Sequence, residues 1–171
     1  MKLLTTLLLV GVCQLTFAQD LRSVLLGQLK STHNNKDWFV PANIAVEGLT
    51  AEQASWKDGS GNHSVGQLTY HLVFWNERQL ATFKGEKPKD FSGNNEETFD
   101  SFDMKTWADL VKRLDAVMAG IEKIVSEAPE AKLKEWAPTI ANISTHNAYH
   151  TGQIIFARKL QKAWDPKKGV N

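Results

Sequence analysis

From Met104 to about Ala128 the apolar residues fall at Trp107, Leu110, Val111, Leu114, Val117, Met118, Ile121 and Ile124, so that partners three and four residues apart recur throughout. An α-helix puts such a series on one face, and a helix with one apolar face has to pack it against a partner. Three further stretches carry a comparable pattern. DLRSVLLGQLKSTHNN, from Asp20, has apolar residues at 21, 24, 25 and 29. Ser64 caps VGQLTYHLVFWNERQLATFKG, which stops near Gly85. A last helix is predicted from about Pro138 to Trp164, where Asp165-Pro166 ends it. No strand-like alternation, internal repeat or glycine-rich phosphate loop interrupts this plan. The fold class is therefore all-α, a four-helix bundle with two longer connections.

Both connections have features of their own. In WFVPANIAVEGLTAEQASWKDGSGNH, Thr50-Ala51-Glu52-Gln53 has the form of a capping box opening a short helix, which Gly59 to Gly61 break. KPKDFSGNNEETFDSFD is polar and turn-rich. At about seventeen residues it is long enough for a functional lid.

The first twenty residues have a different character. Lys2 is their only charge before Asp20, an apolar run extends from Leu3 to about Val12, and Thr16-Phe17-Ala18 ends in a small residue suited to cleavage. Residues 1–18 thus read as a secretory signal peptide, too short and wrongly flanked for a stable membrane span. Residues 19–171 read as one bundle domain. The expected location is the bacterial periplasm or the exterior, with no stable membrane span after processing. Cys13 is the only cysteine, so the mature chain has no thiolate for metal ligation, nucleophilic attack or disulfide formation. Twenty basic against nineteen acidic residues leave a formal charge of +1, which gives no footprint for nucleic acid or an anionic membrane.

Function enters with the histidines. At ~100° per residue, and with His146 at zero, His150 lies near ~40°, Gln153 near ~−20° and Asn142 near ~−40°. Ile143, Tyr149, Ile154, Phe156, Ala157 and Leu160 flank that strip, which places it inside the sector expected to be buried. The second helix repeats the arrangement: with His71 at zero, Trp75 falls near ~40° and Phe74 near ~−60°, while Gln67 and Arg78 share the line of His71. Unpartnered buried polar groups cost roughly 1–3 kcal/mol each. A divalent cation removes that cost, because imidazoles at i and i+4 reach a common point and a third from a facing helix completes the set.

His71, His146 and His150 are thus the candidate metal ligands. Gln153, Asn142, Gln67 and Arg78 are the candidate substrate contacts, with Arg78 able either to anchor an anion or to pair with an acidic residue elsewhere. His33 and His63 fall in or beside loops and are expected at solvent, His63 at most as an accessory ligand. Three neutral imidazoles leave an ion its full charge and an open position, which favours catalysis over a closed structural site. Zinc suits the set best; nickel, iron and manganese also accept these ligands. Asn147 stands where a zincin would carry its glutamate base, so metalloprotease chemistry has no support.

The stretches SVGQLTYHLVFWNERQL and ISTHNAYHTGQIIFARKLQ, with the connector WFVPANIAVEGLTAEQASW, resemble the DinB-like superfamily of metal-binding four-helix bundles. The resemblance implies an up-down-down-up topology, frequent homodimers, and zinc, nickel or iron held by His71, His146 and His150. Relatives include bacillithiol transferases and mycothiol-dependent maleylpyruvate isomerase, which bring a small thiol to the metal. The apparent signal peptide sets this chain apart from them, since those thiols belong to a reducing compartment. The expected function is an exported metal-dependent enzyme, thiol-transferase-like or hydrolytic, acting on a small molecule. The alternative is a non-enzymatic metal-binding or stress-response bundle.

Overall fold

The structure is a computed structural model that describes residues 20–100 and 102–170; the signal-peptide reading lies outside the described residues. Among the described residues seven α-helices follow one another: α1 (Leu21–His33), α2 (Ala42–Val46), α3 (Ala51–Ser55), α4 (Val65–Phe83), α5 (Glu97–Asp100), α6 (Trp107–Glu127) and α7 (Glu130–Leu160). Among the described residues there is no strand, and no helix is long and apolar enough to cross a membrane.

The local signals act as their chemistry requires. Asp20 caps α1 by accepting from the Ser23 amide at 2.9 Å. Thr50 with Gln53 and Ser64 with Gln67 each form a reciprocal capping box at the starts of α3 and α4. Gly85, at φ 76°, follows the end of α4 in the left-handed region open to glycine. On α6 Trp107, Leu110, Leu114, Val117, Met118 and Ile121 are buried, with Leu114 fully enclosed, while Val111 and Ile124 are half-buried and Val125 takes the last core position.

The long helices α1, α4, α6 and α7 make the bundle, and pairs of contacts give their directions. Glu77 meets Arg113 through two hydrogen bonds, and Leu80 lies against Gly120, so α4 and α6 run parallel. His71 faces His146 whereas Phe83 stacks on Trp136, so α4 and α7 are antiparallel. Arg22 reaches the Val125 carbonyl while His33 meets Asp115, so α1 and α6 are antiparallel too. The order is up-down-down-up.

The last helix departs from expectation at both ends. It begins at Glu130 rather than Pro138, and Pro138 sits inside it. Proline in a helix interior costs on the order of 3 kcal/mol. Here Leu133 and Ile140 are fully buried on either side of it and Trp136 packs on Phe83, so tertiary burial carries the helix through. It stops at Leu160 rather than Trp164, because Lys162 takes φ 58° and the Ala163 amide turns back to the Arg158 carbonyl at 2.8 Å. Arg158 is itself buried. Its guanidinium donates to the carbonyls of Ala45, Glu47 and Ala163 and lies over the Trp164 ring, which ties the connector and the tail to α7.

The rotation of α7 also differs. Ile143 and Ile154 are buried, but Tyr149, Phe156 and Leu160 are 64%, 59% and 45% exposed. The buried sector is centred near ~70° on the His146 scale, among Ile143, Asn147, His150 and Ile154, so apolar residues on the negative side turn outward.

His33 contradicts the solvent expectation. It is 2% exposed, with Nδ1 at 2.6 Å from Glu122 and Nε2 at 3.0 Å from Asp115. Both carboxylates accept, so both ring nitrogens are satisfied only in the imidazolium. Burial pushes its pKa down, but the hydrogen bonds and charges of Glu122 and Asp115 hold it above the ordinary value. Asp115 is held low by hydrogen bonds from His33 and Asn43. A raised folded pKa stabilises fully below the unfolded value near ~6.5, and the gain is lost as pH climbs through the folded value. Asp115 supplies the opposite limit, its gain disappearing as pH falls below the carboxylate range. Replacing His33 by Gln is therefore expected to destabilise the bundle by roughly 1–3 kcal/mol at pH 6. In urea unfolding that difference shrinks by pH 9.

Candidate metal centre

Two hydrogen bonds fix which nitrogens point into the site. His71, on α4, is 2% exposed, and its Nδ1 lies 2.5 Å from the Thr98 hydroxyl. That hydroxyl already gives its proton to the Asn95 carbonyl at 2.6 Å, so Nδ1 is the donor and Nε2 is bare. His150, on α7, has Nδ1 at 2.6 Å from Gln153 Oε1, an oxygen that only accepts, so its Nε2 is bare as well. His146 stands one turn earlier, its Nε2 3.1 Å from that of His71. One ligand atom from each of the three lies within 4.8 Å of the others.

The electrostatics agree. Burial, followed by the charges of His150, His146 and His63, pushes His71 down to about 3. Burial and then His150 push His146 down to about 4. Burial lowers His150 too, against the hydrogen bond that its Nδ1–H donates to Gln153 Oε1. All three are neutral at pH 7, the state in which imidazole binds a metal. Three neutral imidazoles, two of them with the outer N–H held by an oxygen, fit a divalent ion of the zinc type.

The surroundings come from α4, α7, the loop joining α4 to α6 and the segment just before α4. Phe99 stacks on His71 at 4.0 Å between centroids, and His63 stacks on the other face of Phe99 at 3.8 Å. His63 is thus half-buried rather than solvated, one ring removed from the ligands. Behind them Asn76 and Asn147 form a buried pair, each donating its amide to the other at 2.8 and 3.3 Å. Asn147, in the place of a zincin glutamate, is committed to this pair.

The three histidines open onto a cleft of about 810 Å³. Gln153 and Asn142 line it, together with Asn95, Glu96, Trp75 and Tyr149. Two candidate contacts lie elsewhere. Gln67 closes the capping box of α4 and borders a separate hollow near Phe102. Arg78 donates to the Lys89 carbonyl at 2.5 Å and spans the rings of Phe74 and Phe91, pinning the loop instead of facing the cleft. Neither Thr98, Phe99 nor Glu96 is marked by helix periodicity. Their only signal is a single threonine followed by one of three phenylalanines in a loop otherwise rich in acidic and amide residues. Glu96 brings the cleft a carboxylate that neither inward strip possesses, 3.9 Å from His63 Nε2.

An all-helical bundle that converges three neutral imidazoles on one point fits a metal-binding helical protein. The sequence profile of the DinB superfamily matches residues 42–155, which includes all three histidines, and the chain belongs to that superfamily. Neither a curated protein nor a solved structure matches it.

Thr98 reaches the metal position only through His71. Thr98→Val removes the acceptor of the Nδ1 proton while keeping the volume, and is expected to weaken zinc binding about 10–100-fold. Competition with a chromophoric chelator at pH 7 measures this, with His71→Ala as the limit in which the site is lost.

Proposed function

We propose that the chain is a metal-dependent enzyme acting on a small molecule by hydrolysis or thiol transfer, with zinc at His71, His146 and His150. One observation carries the reading: the three imidazoles converge without a fourth protein ligand among the described residues, and the side left open faces a cleft of small-molecule size. A divalent ion held there would supply Lewis-acid polarisation and acidify a nucleophile bound beside the substrate.

The chain's own residues account for the rest. Amides from Asn95 and Asn142 offer donors and acceptors that orient a neutral polar group, beside a Gln153 that holds His150. Glu96 and His63 sit at the loop side of the cleft, where they can accept the proton released by an incoming water or thiol. Phe99 shields one face of His71 and the loop limits the access of bulk water to it. The leader-like residues 1–18 support export, which favours water or an extracytoplasmic thiol as the nucleophile.

Purified protein loaded in turn with zinc, nickel, iron or manganese should be assayed for ester and amide hydrolysis and for thiol conjugation to epoxides and chloro-aromatics. Turnover is expected with at least one ion, and His150→Ala should lower it by at least about a hundredfold while leaving the helical circular dichroism unchanged. Absence of turnover with every ion, alongside tight metal binding, would support a non-enzymatic role instead.

A further inference from the structure

Phe156 and Leu160, the apolar residues that α7 turns away from the core, are not scattered on the surface. With Trp56, Leu68 and Ala157 they wall a second cavity of about 440 Å³, closed on one side by the 57–63 loop. That size lies within the range of small-molecule sites. Polar groups are present, but Asp58 is already committed, its carboxylate accepting from Ser60 and Asn62. Beyond Gln153 at its inner edge, the wall on the α7 side is hydrocarbon, from Phe156, Ala157 and Leu160.

Two residues line this cavity and the metal cleft alike: His63 and Gln153. Both stand immediately outside the ligands. His63 is the outer ring of the stack that runs through Phe99 to His71, two ring spacings away. Gln153 holds the outer nitrogen of His150. The second cavity therefore begins where the supports of the metal ligands end. A ligand reaching from one to the other passes over His63 and Gln153.

We propose that this chamber receives the uncharged hydrocarbon tail, aromatic or alkyl, of the same small molecule whose reacting end lies at the three histidines. The proposal rests on the metal-site reading above and names its substrate class: a compound with a metal-seeking polar end and an apolar extension. It also gives a reason for the large exposure of Phe156, since apolar side chains clustered around a cavity mark a binding surface where isolated ones do not.

Hydroxamates separate the two readings, because acetohydroxamate and phenylbutanohydroxamate share a chelating end and differ only in the tail. Titration calorimetry on the zinc-loaded protein compares wild type, Phe156→Gln and a control, Val24→Gln, an exposed apolar residue on α1. Phenylbutanohydroxamate is expected to bind at least about tenfold more tightly than acetohydroxamate to wild type and to Val24→Gln. In Phe156→Gln that advantage should fall to less than about threefold, with acetohydroxamate unchanged. An equal advantage in Phe156→Gln, or none in wild type while acetohydroxamate binds normally, would overturn the chamber and leave the metal site standing. Failure of acetohydroxamate to bind any of the three proteins would overturn the metal reading and the chamber with it.

Discussion

Asn76 on α4 and Asn147 on α7 satisfy each other inside the bundle, and the rest of the site inherits its register from them. Both residues are almost fully buried, so neither has water as an alternative partner. Sliding one helix by a turn would strand both amides, at roughly 1–3 kcal/mol for each unsatisfied group. The pair sits one turn from His71 on α4 and between His146 and His150 on α7. Fixing the amides therefore fixes the height at which the imidazoles meet. A hydrocarbon pair would pack there but would tolerate more slippage.

The loop between α4 and α6 completes what the helices begin. Thr98 sets the tautomer of His71, and Phe99 covers its ring. The loop is itself anchored on both sides. Arg78 holds the Lys89 carbonyl, and the Phe102 ring lies so close to Gly66 that a Cβ there would come within 2.3 Å of it. A residue that a helix count would treat as part of a linker thus sets the tautomer of a ligand on α4. His33 plays a comparable structural part near the end of α1, between two carboxylates of α6.

What could be read in the sequence follows from periodicity. The stripe on α6 and the caps at Ser64 and Thr50 are local and repetitive, and the structure has them close to where the spacing puts them, whereas of the polar strip on α4 His71 faces the cleft but Gln67 and Arg78 do not. The histidine cluster was legible for the same reason, because i, i+4 spacing is a property of one helix. Four features were not. The start of α7 depends on Leu133 and Trp136 finding partners across the bundle, which outweighs the local penalty at Pro138. Its rotation depends on the polar strip sharing the core-facing sector, which sends Tyr149 and Phe156 outward. His33 looks like a loop residue until Asp115 and Glu122, far along the chain, are brought to it. Thr98 and Phe99 act through a fold of the loop that no period encodes.

Arg158 has a consequence for how the ends of the chain are held. Its flat guanidinium extends donors in several directions at once, to the strand of chain before Gly48 on one side and to the tail on the other. A lysine would carry the same charge on a single point and could not span both. Two segments far apart in the chain thus share one side chain as a common hinge pin, and even a charge-conserving exchange at this position would strip hydrogen bonds from one or both.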